Sequence, residues 1–418
     1  MTGRLGMNQE KYVVILGTFD SKGEEHLFLR DRIRARGLGT LTINIGTKAQ
    51  PSFSPDFDLF AKMQEAGRGR TVPRDEAIKG VVAHAISLVH KLHLKGKIAG
   101  IVSAGGGTGT HMGTSVMRVL PMGIPKVMVS TVAAKNMKEI VGTKDITMMH
   151  SVIDLLGVNS ISGMVLDRAA GAVSGMVLDQ WNPGDRKKRI ALTFFGFITR
   201  GAELVKQALN DMGYEVVAFH ANGTGGMAME ELAAEGYFDG ILDLATHELA
   251  DELKGGYCSG IGPSRLMPHP GVRIPRLVVP GGLDCAVLEF TRETIPPEYR
   301  DRKIFFYDFR SAIRLDEIET VFLANQLAQK LNGSPSTSRV IIPLLGWSEA
   351  DSKEGPLFDP ALTRTFIQTL KQKLNPGIQI IEENCHINDP SFAESVARTM
   401  DEMISKLKAE SRKLKAES

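Results

Sequence analysis

Twice in the first 110 residues a short apolar run ends in a segment rich in glycine and small polar residues. Val13-Val14-Ile15-Leu16 leads into Gly17-Thr18-Phe19-Asp20-Ser21-Lys22-Gly23, and Ile98 to Val102 leads into Ser103-Ala104-Gly105-Gly106-Gly107-Thr108-Gly109-Thr110. A run of this length, bounded by glycine and followed by helical spacing, reads as a buried parallel strand that turns into a helix. Glycines let backbone N–H groups come close to a ligand, and the following helix points its positive end at the same place, so phosphate is the natural guest. The first loop has neither the Gly-Lys-Ser/Thr ending of a Walker A sequence nor the Gly-x-Gly-x-x-Gly fingerprint. The second spends four glycines where a simple strand-to-helix turn needs fewer, which points to close backbone approach by a ligand.

The spacing predicts a helix over 24–36 stopped by Gly37, a strand over 40–45, a long helix over 74–94, and further strands over 97–102 and 125–130. The Pro- and Phe-containing stretch 47–72 is too long for a plain connector and reads as a lid or an interface arm. A β-α-β-α series implies a parallel sheet covered on both faces, commonly in the order 2-1-3-4. In that order the two glycine loops leave adjacent strands and flank the crevice where such folds hold ligands. The Ala- and Gly-rich stretch 146–177 reads as buried or interfacial helices. The turn Trp181-Asn182-Pro183-Gly184-Asp185 then marks a boundary, giving domains 1–183 and 184–418. Strands near 190–195, 215–220, 240–244, 276–279, 339–344 and 378–381, separated by helical patterns, predict a second domain of the same kind. The expected fold class is α/β, with two doubly wound, Rossmann-like domains and mostly parallel sheets.

Lys and Arg exceed Asp and Glu by two, so net charge gives no reason to expect a nucleic-acid or membrane partner. Arg186-Lys187-Lys188-Arg189 is a short basic run that reads as a solvated linker. Cys258, Cys285 and Cys385 are widely spaced, without the paired spacing of a zinc site or disulfide framework. The opening residues lack a signal-peptide core, and the apolar runs fall short of a membrane span, so a soluble cytoplasmic protein is expected.

In the first domain Gly17, Thr18, Asp20 and Lys22, with Ser103, Gly105, Gly106, Gly107 and Thr108, are the candidate nucleotide-binding residues. Asp20 is placed to face magnesium and Lys22 to face phosphate. In the second, His220-Ala221-Asn222-Gly223-Thr224-Gly225-Gly226 is a third glycine-rich strand end. His247-Glu248, Gly281-Gly282-Leu283-Asp284 and His386-Ile387-Asn388-Asp389-Pro390 follow other strands. His220, Asp284 and His386 are the candidate catalytic groups. His220, Asn222, Gly223, Gly225, Gly226, Asn388 and Asp389 are candidates for holding a small anionic substrate. No pair of histidines has the i, i+4 spacing of a helix-borne metal motif, so no metal ligand is assigned, and a metal or acid–base enzyme is kept as an alternative.

Taken in order, the loop at 17–24, the loop at 103–108, Asp145-Ile146-Thr147-Met148-Met149, the loop at 220–226 and the segment 386–390 resemble one family. It is the ATP-binding domain family typified by the N-terminal part of the tomato mosaic virus resistance protein, and the likeness runs from about Tyr12 to Leu407. The resemblance implies two α/β domains, ATP and Mg²⁺ on the first, and a homodimer. It also implies that a barrel domain, fused in the plant member, would here be a separate protein partner. Ser21 stands where the family's first loop usually has threonine, keeping the hydroxyl and losing a methyl. Three functions stay open: an ATP-using enzyme acting on a small molecule, a non-catalytic nucleotide-responsive interaction module, and an enzyme whose chemistry lies in the second domain.

Overall fold

The run Val13 to Leu16 is wholly buried at the centre of β1 (Tyr12–Gly17), which has a parallel neighbour on each side. The computed structural model describes residues 11–62, 73–179, 181, 184 and 186–417, and the chain divides into two units between 183 and 184. The stretch read as a lid or arm lies partly outside the described residues.

After β1 the first unit continues through α1 (Phe19–Arg34), β2 (Thr40–Asn44), β3 (Phe57–Asp58), α2 (Arg74–Leu94), β4 (Ile98–Gly105) and α3 (Gly107–Met117). It ends with β5 (Lys126–Ser130), α4 (Lys138–Val141), β6 (Ile146–His150) and α5 (Ser160–Leu178). The sheet is parallel throughout, in the order β3-β2-β1-β4-β5-β6. The chain moves outward from β1 to β3 and then crosses back to β4, so the switch point, where ligands of such sheets bind, lies between β1 and β4. Alternate side chains of β1 serve opposite faces. Val13 and Ile15 pack with Leu29, Ile33 and Leu166, while Val14 and Leu16 pack with Val81, Val89 and Val116.

Two expectations need correcting here. Residues 146–150 form the edge strand β6, not helix; its half-exposed residues give no continuous apolar run, and the helix begins only at Ser160 behind an Asn159 capping box. That helix, α5, is the one described helix long and apolar enough by composition to cross a membrane, although the apolar runs read as too short. One face of it, including Leu166, Ala170 and Val173, packs into the core beside β1 and β4.

The second unit runs through β7 (Arg189–Phe194), α6 (Thr199–Asp211), β8 (Glu215–His220), α7 (Thr224–Ala234), β9 (Gly240–Ala245), α8 (Glu248–Lys254) and β10 (Arg276–Gly281). Next come β11 (Cys285–Leu288), β12 (Ile304–Phe306), β13 (Ser311–Arg314), α9 (Glu317–Leu331), β14 (Ser338–Pro343), α10 (Pro360–Lys373), β15 (Gln379–Glu383) and α11 (Pro390–Glu417). Six of these strands form a second parallel sheet, β15-β14-β10-β9-β7-β8, with its switch point between β7 and β9. The small antiparallel sheet β11-β13-β12 was not expected from the sequence. Both units are therefore α/β with doubly wound parallel sheets.

Candidate nucleotide crevice and second-unit cluster

In the first unit a cavity of about 300 Å³ opens at the carboxyl ends of β1 and β4. It is lined by Thr18, Asp20, Ser21, Lys22, Thr47, Lys48, Arg74, Gly106, Gly107, Thr108, Gly109 and Met112, so the two glycine loops do meet. Gly106 precedes α3 and brings no side-chain cap, leaving the first-turn N–H groups pointed at the cavity. Its backbone is extended (φ −77°, ψ −166°) and a Cβ there would have Thr131 Oγ1 as its nearest neighbour at 3.7 Å. A Cβ on Gly107 would meet nothing within 4 Å, and one on Gly109 only Ala104 O at 3.9 Å. The fold itself has no use for the missing side chains at these three positions.

The remaining loop residues divide by what they touch. Thr18 accepts a hydrogen bond from Ser21 Oγ at 3.2 Å. Asp20 Oδ2 accepts from the backbone N–H groups of Thr47 (3.1 Å) and Lys48 (2.8 Å), tying the loop after β2 to α1 and leaving Oδ1 without a described partner. Lys22 donates its ammonium to Leu155 O, and its backbone (φ −133°, ψ 33°) kinks α1, so it lines the cavity but is already engaged. Lys48 and Arg74 supply positive charge that loop spacing did not disclose.

Three expected ligand residues are instead structural. A Cβ on Gly17 would fall on the ring of His26, whose Nδ1 lies 2.6 Å from Lys22 O and whose Nε2 accepts from Ala104 N–H at 3.3 Å. Burial keeps that imidazole below its ordinary pKa, matching its role as an acceptor. Ser103 is buried beneath α3, where a Cβ on Gly113 would come within 2.9 Å of its hydroxyl. Gly105 permits the close approach of Gly109, whose Cα would lie 3.0 Å from an added Cβ.

The second unit's glycine loop serves its own chain. Added Cβ atoms would strike Ser259 O at Gly223 and His220 O at Gly225. At Gly226 the Cβ would come within 2.6 Å of both the Glu248 carboxylate and Arg265 Nε. Asn222 Oδ1 accepts from Gly225 N–H at 3.1 Å and Thr224 Oγ1 at 3.2 Å, a turn-closing role. Behind this loop Glu230, Asp243 and Glu248 pair with Arg265 and Arg276 in a buried network. Against the cost of burial, Arg276 and the other cations hold the Glu230 carboxyl far below its usual range.

Asp284 and His386 do meet, through Ser348. Its hydroxyl donates to Asp284 Oδ2 at 2.8 Å, and its carbonyl lies 3.0 Å from His386 Nε2. Asp389 accepts from His386 N–H, closing a turn, and Asn388 accepts from Gly201 N–H, tying this segment to the first turn of α6. Burial and the neighbouring Asp284 push Asp351 up to about 7 although Arg314 Nη1 donates to it at 2.8 Å, and burial raises Asp284 as well. His220 lies at the end of the edge strand β8, edge-on to Phe194, and no described hydrogen bond or ion pair joins it to Asp284 or His386. Of the expected catalytic trio, described hydrogen bonds thus link Asp284 and His386 through Ser348 and do not reach His220.

His247, singled out in the sequence, lies at the second switch point with two residues the sequence did not disclose as site residues, Asp251 and Cys258. His247 follows β9 and stacks on Phe195, which follows β7, with ring centroids 3.8 Å apart and planes 16° from parallel. Asp251 and Cys258 lie beside it. Burial, with His220 and Arg265 nearby, pushes the His247 imidazole down to about 3. Burial lifts Asp251 to about 7 and raises the Cys258 thiol, which Asp251 raises further.

Fold and sheet order together define a protein of two doubly wound α/β units, each with its switch point marked by small and polar residues. Residues 11–182 match the N-terminal domain, and residues 187–404 the C-terminal domain, of the uncharacterised protein family UPF0261, and the chain belongs to that family. It is 36% identical over 405 residues to a UPF0261 protein of Clostridium tetani, covering 95% of this chain and 100% of the relative. A Mesorhizobium japonicum UPF0261 protein is 32% identical over 397 residues, covering 94% and 99%. The tomato (Solanum lycopersicum) ToMV susceptible protein tm-1 is 32% identical over 421 residues, with 94% of this chain matching 55% of the plant protein. The likeness to the tomato proteins expected from the ordered loops is therefore real at the level of family.

Proposed function

We propose that the first unit binds a nucleoside polyphosphate, ATP with Mg²⁺, in the crevice between β1 and β4. The observation that carries this reading is the trio Gly106, Gly107 and Gly109, at the positive end of α3, where no described residue beyond the local backbone comes closer than 3.7 Å to an added Cβ. Backbone N–H groups of the first turn of α3 would cradle phosphate, with Lys48 and Arg74 neutralising its charge. Asp20 is the one carboxylate on the cavity wall among the described residues. A single carboxylate beside phosphates suits Mg²⁺, which keeps most of its waters and takes few protein ligands; the ion would supply charge neutralisation. At about 300 Å³ the cavity is at the small end for ligand sites, so it would enclose the polyphosphate end more fully than the base.

The reading stops at binding. It does not draw on His220, Asp284 and His386, of which Asp284 and His386 are joined through Ser348 while no described hydrogen bond links His220 to either. A nucleotide-responsive protein fits the remaining features, and a homodimer or a separate barrel-domain partner would be what it responds through. The three cysteines are free and buried, which suits a reducing, cytoplasmic setting. A thermal-unfolding series with ATP, ADP and GTP, each with and without Mg²⁺, tests the reading. Ligand at 100 times its dissociation constant adds about 2.7 kcal/mol of stability. Stabilisation by ATP with Mg²⁺ is expected, and no response to any nucleotide would overturn the assignment.

A further inference from the structure

The switch point of the second unit holds a buried group of side chains that nucleotide binding at the first unit does not use. We propose that His247, Asp251 and Cys258 form a metal site of the zinc class, with three protein ligands and one position open to an exogenous oxygen ligand. The local fold builds the trio. His247 sits at the start of α8 and Asp251 lies four residues on, so both side chains stand on one face of the helix. Gly255, at φ 61°, ends α8 in the left-handed conformation and turns the chain back. Cys258 N–H then donates to Asp251 Oδ2 at 2.8 Å, which fixes the cysteine against the helix. One ligand atom from each residue lies within 4.8 Å of the other two.

A second and independent observation is the state of His247. It is fully buried, and neither Nδ1 nor Nε2 has a hydrogen-bond partner among the described residues. An imidazole always carries at least one N–H, and buried polar groups are almost always satisfied, so this ring is waiting for something. A cation on one nitrogen answers half of that need directly. Phe195 holds the ring plane by stacking, and Asp251 is oriented by N–H groups from both Cys258 and Val287 (2.8 Å each), the arrangement expected around a metal ligand. Imidazole nitrogen, thiolate sulfur and carboxylate oxygen are the donor set of Zn²⁺, whereas Mg²⁺ prefers oxygen alone. Catalytic zinc centres keep three protein ligands and a free position, and structural ones are closed by four, so this site has the open type.

The test uses the full chain, stripped with a chelator and titrated with Co²⁺ alone, without nucleotide. One Co²⁺ per chain should bind, with a near-ultraviolet thiolate-to-cobalt charge-transfer band that Zn²⁺ abolishes by displacement. Cys258→Ser should lose the band, and His247→Ala should weaken Zn²⁺ binding by at least about 100-fold, more than loss of a supporting residue costs. Absence of the band in the unaltered chain would overturn the proposal without requiring any variant to fold. So would a band that survives Cys258→Ser, since it would belong to Cys285 or Cys385.

Discussion

Replacing Gly106 by valine should abolish the nucleotide response while leaving the fold intact. The position has an extended backbone open to any residue, and the nearest atom to a new Cβ is Thr131 Oγ1 at an ordinary 3.7 Å. The Cβ meets no clash among the described residues and no left-handed strain arises, so the ligand-free stability of Gly106→Val should stay within about 1 kcal/mol of the parent. The two methyl groups occupy the mouth of the cradle, where phosphate oxygens would need to reach the α3 N–H groups. Parent protein at 100 times its dissociation constant for ATP gains about 2.7 kcal/mol. For a unit of this size each kcal/mol moves the midpoint by about 2–4 °C, so the parent should shift by about 5–11 °C and the variant by less than about 1 °C. Differential scanning fluorimetry with and without ATP and Mg²⁺ reads both quantities at once. A variant that keeps the parent's shift would refute the argument that these glycines are open for a ligand.

Gly17→Ala should behave in the opposite manner, because its Cβ overlaps the buried His26 ring: a loss of about 1–3 kcal/mol in urea unfolding is expected without any nucleotide present. Glu230→Ala leaves both arginines paired with Asp243, and Arg265 also with Glu248, but removes an acceptor from Arg276, Arg265 and Leu266 N–H; it should cost about 1–3 kcal/mol, read from the midpoint of guanidinium unfolding of the second unit. Asp351 is raised to about 7 in the folded state, so between about pH 4 and pH 7 the folded chain holds a proton that the unfolded chain has lost. Its contribution is therefore present at the acid end and lost as pH rises through that window. Asp351→Asn should flatten the corresponding slope, at most about 1.4 kcal/mol per pH unit, in a stability-versus-pH series; an unchanged slope would show that the carboxyl titrates normally.

Much of the fold was legible because buried parallel strands are written as continuous apolar runs, as at Val13 to Leu16 and Ile101 to Val102. The edge strand β6 was not, since Ile146 to His150 alternates half-buried and exposed residues and has no such run. The β11-β13-β12 sheet escaped for a related reason: short antiparallel strands such as Ile304–Phe306 carry too few residues for a period to register. Site residues divided along a different line. Glycine-rich loops look alike as text, yet Gly106 and Gly107 face open space whereas Gly223, Gly225 and Gly226 are pressed against Ser259, His220 and Glu248. What a glycine makes room for is decided by partners distant in sequence. His247 and Asp251 do stand at i, i+4, a spacing visible in the sequence had carboxylates been admitted beside histidines, but the return of Cys258 to that helix depends on the turn at Gly255.

Hydrogen–deuterium exchange of the full chain, with and without ATP and Mg²⁺, tests most directly where the nucleotide sits. The account predicts slowed exchange in peptides spanning 17–24 and 103–117, where the cradle N–H groups would gain acceptors, and no change across 220–226. Protection confined to the second unit, or none anywhere under conditions where ATP stabilises the protein, would contradict it.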